Sequence, residues 1–250
     1  MKHTIIYTGS VLLFLLAFAT SCLGDMDMEV SEKGWLNIAS LEKTATEDVR
    51  ATVDDEGEID YWVSINRSGV SVMSPTLFSS ISGRIALSAG DGYTLSAESC
   101  SKTEAEISPT VYGQPRYAGS TPFAIVANES TNVHVQCSMA NAAFKVEKGE
   151  GFYYTEYSVT ATSGYRTLIF TDEQQVGYFN VGDNGTTELQ YEVVAKDVEG
   201  HIGRGSGTIT LKSRNLSKLM LKATPMGYVN VGVVYDDTFT PVVTEIVVTE

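Results

Sequence analysis

Two cysteines in the body of the chain, Cys100 and Cys137, are its best candidates for covalent chemistry. In an oxidising compartment such a pair can form a disulfide. Cys137 falls in the inward phase of an alternating apolar run, whereas Cys100 is out of phase with Tyr93, Leu95 and Ala97 just before it. The sequence leaves a Cys100–Cys137 disulfide and two free thiols as open alternatives, because geometry rather than cysteine count decides pairing.

The third cysteine, Cys22, belongs to a different chemistry. It follows a short apolar run, 11–19, and the quartet Ala19-Thr20-Ser21-Cys22 resembles a relaxed bacterial lipobox. On this interpretation residues 1–21 are a signal peptide and Cys22 becomes the acylated first residue of the mature chain. The alternative is an ordinary secretory signal with an incidental cysteine. Acyl chains would anchor the protein stably, since each buried methylene contributes about 0.8 kcal/mol.

Acidic residues dominate the charge of the chain, with 17 Lys+Arg against 31 Asp+Glu and a formal net charge of −14. Removal of residues 1–21 takes away one Lys and no acid, so 16 basic and 31 acidic residues leave −15. This balance excludes nucleic acid as a partner, because neutralising phosphates needs clustered Lys and Arg. It also disfavours electrostatic binding to an anionic membrane surface. Attachment to the outer membrane is therefore expected through the lipid.

Residues 22–33 are predicted to be an acidic tether that follows the lipid anchor. Asp25, Asp27 and Glu29 stand just after Cys22. Acids at this position resemble the export signal of surface-exposed lipoproteins, and the alternative is a solvated tether without that role. We expect a cell-surface location.

An acidic run near residue 57 carries enough carboxylates to hold Ca²⁺, whose protein ligands are oxygens. Its members are Asp54, Asp55, Glu56, Glu58 and Asp60. Their spacing does not follow an EF-hand loop, and a solvated hairpin loop is the alternative. We expect no metal site.

Sequence motifs of catalysis are absent. The chain has no zinc-ligand spacing, P-loop, dinucleotide fingerprint or Gly-x-Ser-x-Gly elbow. His134 falls on the polar face of its strand, and it could share a site with His201 only if the fold brings the two together. Because no nucleophile and base are positioned by the pattern, we expect a protein that is not an enzyme and needs no cofactor.

Aromatic side chains could form a carbohydrate platform, since their rings stack on sugar faces. Six tyrosines are available, Tyr112, Tyr117, Tyr153, Tyr154, Tyr157 and Tyr165. Most are expected to pack in the core or across strands. Tyr154 and Trp62, however, occupy the polar phase of their strands, and a loop framed by Pro115 and Gly119 carries two more. The predicted ligand-facing aromatics are Trp62, Tyr112, Tyr117 and Tyr154.

The elements that must position these residues are strands. Apolar and polar residues alternate along the whole mature chain, as in sheets with one buried face. The clearest runs are 59–65, 133–139, 153–161, 189–195, 209–211 and 229–235. The only helical candidates are 41–50, 213–220 and a single turn within 75–82. The pattern predicts an all-β protein built from β-sandwiches.

A domain boundary is predicted near residue 140, where one alternating run ends and another begins. It divides the body into 34–140 and 141–250, each of ordinary domain size. No Pro- or Gly-rich linker separates the halves, which predicts close packing between them. The expected architecture is two tandem antiparallel β-sandwiches, either transthyretin-like or immunoglobulin-like.

Several phrases together resemble the DUF4493 family of Bacteroidales lipoproteins, which look broadly like fimbrillin-type surface proteins. They are Gly34-Trp35-Leu36-Asn37-Ile38, Gly90-Asp91-Gly92-Tyr93-Thr94-Leu95-Ser96-Ala97, Pro115-Arg116-Tyr117-Ala118-Gly119, Phe123-Ala124-Ile125, Val133-His134-Val135-Gln136-Cys137, and Asn141 with Phe144 and Val146. The resemblance covers most of the mature chain and is best between 34 and 147. Its motifs are structural, so they specify a fold more than an activity.

The resemblance implies a surface adhesion or pilus-associated subunit. Fimbrillin-type proteins are lipidated precursors, some of which lose their first strand by cleavage after an Arg and accept a strand from a neighbour. Here Trp35–Leu41 would be the first strand, Arg50 the processing site and Val242–Val248 the donor. The alternatives are a surface residue at Arg50 and a C-terminal strand that closes its own sheet. The second function considered is a surface glycan-binding lipoprotein.

Overall fold

The structure is a computed structural model that describes residues 32–43, 59–164, 166–223 and 229–235, with the side chains of 43 and 229–235 excepted. Lys33–Glu250 forms one compact unit. Strands are the dominant element of its described residues, with one short helix, which confirms the prediction of an all-β sandwich. The division into two domains at residue 140 stays a prediction.

The first half contains one seven-stranded sheet in the order β3-β2-β5-β6-β7-β1-β4. Its strands are β1 (Lys33–Lys43), β2 (Trp62–Arg67), β3 (Val70–Leu77), β4 (Ile85–Ser88), β5 (Gly90–Glu98), β6 (Tyr117–Ile125) and β7 (Ser130–Met139). A short helix, α1 (Lys102–Ile107), lies in the connection between β5 and β6. Buried side chains of β1, β2, β5 and β7 meet in one core cluster.

The second half contains two four-stranded sheets, β10-β9-β12-β13 and β11-β8-β14-β15. Their strands are β8 (Asn141–Lys148), β9 (Glu156–Ser163), β10 (Arg166–Phe170), β11 (Val176–Asn180), β12 (Thr186–Lys196), β13 (Ile202–Lys212), β14 (Leu216–Ala223) and β15 (Val229–Tyr235). Side chains from both sheets form a second core cluster, rich in aromatic residues.

Strand β8 joins the two cores. It starts at Asn141, two residues after the end of β7, and its first four side chains are all buried. Ala142 and Phe144 belong to the second core, whereas Ala143 on the opposite face belongs to the first. Because side chains of a strand alternate between faces, a strand buried on both faces packs the halves together as the sequence predicted.

A buried amide fixes this junction. The side chain of Asn141 is fully buried. Its Nδ2 donates to the carbonyl oxygen of Gln114 at 2.9 Å, and its Oδ1 accepts from the backbone N–H of Arg116 at 3.0 Å. Both functions of the amide are thus satisfied inside the protein, as burial of a polar group requires.

The predicted inward phase is confirmed in most strands. Tyr61, Val63 and Ile65 are buried, as are the inward residues predicted for β7 and β12, and the buried phase of β9 begins at Tyr157. Among the predicted runs whose side chains the structure describes, the buried phase fails in the segment just before β9. There Tyr153 is 47% exposed and Tyr154 is buried, because this segment precedes the strand and is not bound by its alternation.

Three local predictions need comment. The segment 213–220 is not helical: it is a turn followed by β14, which pairs in parallel with β8, so tertiary pairing overrides local preference. Leu41–Lys43 belong to β1 instead of a helix, and 44–50 lies outside the described residues. A helical turn within 75–82 is confirmed as a single 3₁₀ turn at Phe78–Ser80.

Helix α1 was not predicted, although its start signal is present. Ser101 Oγ accepts from the Glu104 N–H at 3.2 Å, and the Glu104 carboxylate accepts from the Ser101 N–H at 2.9 Å. This capping box satisfies two backbone donors at the helix start. Only Ala105 of the helix is buried, so no apolar periodicity marks it in the sequence.

Candidate functional site

Strand β1 occupies an unusual position for a first strand. It runs parallel to β7 from Trp35 to Lys43 and antiparallel to β4 from Lys33 to Leu36. It therefore closes a gap between two strands that do not pair with each other. Among the described strands a second parallel ladder joins β8 and β14, so two of the three described sheets are mixed where antiparallel sheets were predicted, and the sheet β10-β9-β12-β13 is antiparallel throughout.

Few apolar side chains hold β1 in place. Leu36 is fully buried, while Ile38 and Leu41 are partly buried against the first core. A bulge between Ile38 and Ser40 shifts the register of β1 against β7. After the bulge the odd-numbered Leu41 faces the core, whereas the even-numbered Leu36 and Ile38 do so before it. Trp35 points outward and is 37% exposed.

The polar contacts of β1 lie at the surface. Asn37 Nδ2 donates to Asn132 Oδ1 at 2.8 Å, and Ser40 Oγ lies 2.9 Å from His134 Nδ1. His134 thus serves the β1–β7 pairing. His201 instead contacts Asp197, 2.9 Å away, and this hydrogen bond raises the pKa of His201. The two histidines are therefore engaged by different partners.

The other parts of the predicted exchange mechanism lie outside the described residues. These are Arg50, Val242–Val248 and the lipidation site Cys22, together with 54–58 of the acidic run. Of that run only Asp60 is described, and its carboxylate accepts from Ser79 N–H and Oγ at 3.1 and 2.5 Å. Within the described ranges no cluster of His, Cys, Asp or Glu could hold a metal ion.

Of the two alternatives left open for Cys100 and Cys137, the structure shows the free thiols. Cys100 and Cys137 are both free and buried. Strand β6 lies between β5, which precedes Cys100, and β7, which carries Cys137. The two cysteines are therefore separated by two strand spacings of about 4.8 Å each. This distance is larger than the Cα–Cα separation of about 7 Å that a disulfide can bridge. Burial raises the pKa of Cys137 to about 11, so its thiol stays protonated at neutral pH.

Two predicted ligand-facing tyrosines are core residues. Tyr117 is 7% exposed and Tyr154 is 5% exposed, because both rings pack into the clusters of their halves. Tyr112 is half-buried, and its hydroxyl donates to the carbonyl oxygen of Ile169 at 2.6 Å. It joins the β5–β6 connection to the second half, and its ring packs partly buried against the second core. Tyr165 lies outside the described residues.

Trp62 is the predicted aromatic that does face solvent. It is 40% exposed and lines a surface groove of about 410 Å³ on the outward face of β2, β5 and β6. Sheet register places it directly beside Glu98, which lies beside Ala118. Arg116 at the rim forms an ion pair with Glu98 at 2.7 Å.

A row of serines forms the next rank of this groove. Ser64, Ser96 and Ser120 are directly opposite one another on three neighbouring strands. Neither this row nor Glu98 and Arg116 were among the predicted site residues. Outward phase marks Ser64 and Ser96 in the sequence, but register across strands is not visible there.

One further concavity lies between α1 and the second half. It has a volume of about 490 Å³ and is lined by residues that include Glu106, Arg166 and Asn180. These side chains already serve the contact between halves: Arg166 donates to the carbonyl oxygens of Glu106 and Val111, and Asn180 donates to that of Lys102. The described residues contain no helix long and apolar enough to cross a membrane.

Solved structures share this architecture. A fimbrial assembly protein from Parabacteroides distasonis aligns with a TM-score of 0.50 at 9% identity, covering 84% of this chain and 98% of its own. A candidate cell adhesion protein from Bacteroides ovatus aligns at 0.40 and 12% identity, over 86% and 99%. A candidate polysaccharide-binding protein (DUF1812) from Bacteroides thetaiotaomicron aligns at 0.41 and 8%, over 81% and 96%. Of these three structures, the fimbrial assembly protein is similar enough to show a shared fold, and at 9% identity it shows the fold alone.

Sequence comparison gives the family. No curated protein matches the chain. Residues 32–250 match the family described as a domain of unknown function, DUF4493, which spans the whole described β body. The resemblance noted from the motifs around β1, β5, β6 and β7 is confirmed by this match. The chain belongs to the DUF4493 family.

Proposed function

We propose that this protein is a non-enzymatic, lipid-anchored subunit of a fimbrial or adhesive surface structure, in which β1 is an exchangeable strand. The position of β1 carries the proposal. It fills a gap between β7 and β4, makes a parallel ladder and has one fully buried side chain, Leu36. The fold it shares with a fimbrial assembly protein supports the same role.

Loss of β1 would leave a receptive groove. The backbone N–H and C=O groups of β7 that pair with β1 would lose their partners, and the pockets of Leu36, Ile38 and Leu41 would open. Exposed edges of this kind recruit a replacement strand. Burial of Leu36 alone is worth about 2 kcal/mol, so β1 departs stably only when another strand supplies an equivalent side chain.

The donor is proposed to be Val242–Val248 of a second copy. This segment is rich in β-branched residues and has one charged residue, Glu245. Such a strand fits an apolar groove that it enters by main-chain pairing. Cleavage after Arg50 is the proposed trigger, because it frees β1 from the chain that follows it.

Arg-specific proteolysis tests this mechanism. The mature chain with Cys22→Ala is cleaved with an Arg-specific protease and run on a denaturing gel without boiling. We expect a ladder of oligomers from the cleaved chain and monomer from the uncleaved chain. Arg50→Lys is the matched control, since it keeps the charge and removes the cleavage site.

Two results would contradict the exchange. One is a chain cleaved at Arg50 that stays monomeric, and the other is an equal ladder from the Arg50→Lys chain. A cleaved chain that lacks residues 242–250 should also stay monomeric, because it has no donor strand.

The proposed location has its own test. Replacement of Cys22 by Ala should release the protein from the membrane fraction, because acylation needs the thiol. Retention of the variant in membranes would contradict lipid anchoring. Protease treatment of intact cells then separates the outward from the periplasmic face, and we expect degradation from outside.

A further inference from the structure

The groove beside Trp62 is built from two aligned ranks of side chains. The first rank is Trp62, Glu98 and Ala118, and the second is Ser64, Ser96 and Ser120. Each rank crosses β2, β5 and β6 in register. The first rank holds two large side chains, Trp62 and Glu98, and the second holds three short ones, so the groove follows from the sequence of the outward positions.

The walls of the groove differ in chemistry. Trp62 and Pro75 give an apolar wall on the β2–β3 side. The wall on the β5–β6 side is the Arg116–Glu98 ion pair, in which Glu98 keeps 38% of its side chain exposed. Arg116 is held in place because its Nε also donates to the carbonyl oxygen of Cys100 at 3.1 Å. The donors and acceptors of this wall are therefore preorganised.

The floor carries unused hydroxyls. Neighbouring strands lie about 4.8 Å apart, so the three serine hydroxyls are evenly spaced across the sheet. Within the described part of the chain, no hydrogen bond involves the side chains of Ser64, Ser96 or Ser120. A ligand in the groove would meet hydroxyls that can both donate and accept.

We propose that this groove binds a neutral pyranose unit of a polysaccharide. An aromatic face packs on the apolar face of a sugar ring, while serine hydroxyls and the Arg116–Glu98 pair satisfy its hydroxyl groups. The volume of about 410 Å³ lies within the range of small-molecule sites. The ion pair is neutral overall and the mature chain carries −15, so the site has no excess positive charge for an acidic sugar.

The position of the groove excludes a peptide strand as occupant. It lies on a sheet face formed by β2 and β5, and each of these strands is paired on both edges. A peptide here would find no unpaired backbone to extend, so side chains alone must hold the ligand. This proposal is independent of strand exchange, because the groove does not include β1.

Intrinsic fluorescence gives a direct test, because Trp35 and Trp62 are the two tryptophans of the chain. In the mature Cys22→Ala chain with Trp35→Phe, emission reports Trp62 alone. Mannan, galactomannan, xyloglucan and dextran serve as neutral probes, and polygalacturonate serves as the acidic one. We expect a saturable change of Trp62 emission with at least one neutral probe and retardation of the chain in a gel that contains it.

Substitutions locate the site. Trp62→Ala should weaken retardation about tenfold or more, whereas Trp35→Ala, which removes the other exposed indole, should leave it unchanged. Glu98→Gln should also weaken it, and Trp62→Phe should retain part of it. Thermal melting of each variant separates lost binding from lost folding.

Three results would overturn the proposal: no response to any neutral probe, equal retardation of Trp62→Ala and the parent chain, or retardation by polygalacturonate alone. All three are measured on uncleaved monomer, so they leave strand exchange untouched. Conversely, a chain that fails to polymerise can still bind a neutral probe in this groove.

Discussion

Strands β1 and β12 are both eleven residues long, but they differ in how extensively they pair and in how many side chains they bury. β12 pairs along its whole length with β13 and over seven residues with β9, and it buries Leu189, Tyr191, Val193 and Ala195. β1 pairs with β7 over eight residues and with β4 over four, and among its described side chains only Leu36 is fully buried. The extent of pairing and the number of buried side chains therefore distinguish a strand that builds a core from one that completes it.

The largest effect should come from the second core. Phe144 lies edge-on to Phe170 and Phe179, with ring centroids 5.1 and 6.4 Å apart. Phe144→Ala should lower the free energy of unfolding by about 4 kcal/mol, because a fully buried ring leaves a cavity. Urea unfolding measures this. The exposed Ile169→Ala is the control and should change little; a similar loss in both would contradict the assigned core.

Leu36→Ala tests the β1 side of the comparison. In the intact chain it should cost about 3 kcal/mol by urea unfolding, because the side chain is fully buried. After cleavage and exchange of β1 the same substitution should have no effect on the assembled form. A loss that persists there would show that β1 remains in its groove.

Asn141 lies at the junction of the two halves, and its substitution should lower the free energy of unfolding less than the two core substitutions do. Asn141→Ala leaves the carbonyl oxygen of Gln114 and the N–H of Arg116 without their partner and should cost about 2 kcal/mol. Differential scanning calorimetry should then separate the melting of the two halves. One unchanged transition would mean that β8 alone couples the cores.

The smallest effect at neutral pH concerns one buried tyrosine in each half. Burial raises the pKa values of Tyr61 and Tyr157 to about 12, and within the described residues neither hydroxyl has a hydrogen-bond partner. Since the folded-state values exceed the ordinary value of about 10, their contribution is present below pH 10 and lost as pH rises through 12.

Tyr61→Phe and Tyr157→Phe should therefore leave stability nearly unchanged at pH 7 and reduce its loss in alkali. Circular dichroism melting from pH 8 to 12 measures this. Unequal changes in melting temperature for the two variants would rank the alkaline sensitivity of the two cores. A loss of stability at pH 7 would contradict the absence of a hydrogen-bond partner for the hydroxyl.

Local chemistry explains which sequence predictions are confirmed. The alternation in 59–65 and 189–195 predicts strands and their buried faces, because side chains of any strand alternate with period two. The same argument fails at Tyr153 and Tyr154, which stand before their strand begins. The helix predicted at 213–220 is wrong for a different reason, because pairing with a distant strand decides the conformation of that segment.

The all-β class, the buried phase of most strands, the acidic charge and the family can all be read from the order of amino acids. These properties depend on composition and on neighbours within a few residues. Three other features emerge from the folded arrangement: β1 lies parallel to β7, Cys100 and Cys137 stay apart, and Trp62 shares a groove with a row of serines. Each of these depends on strand order and register, which arise from contacts between residues far apart in the chain.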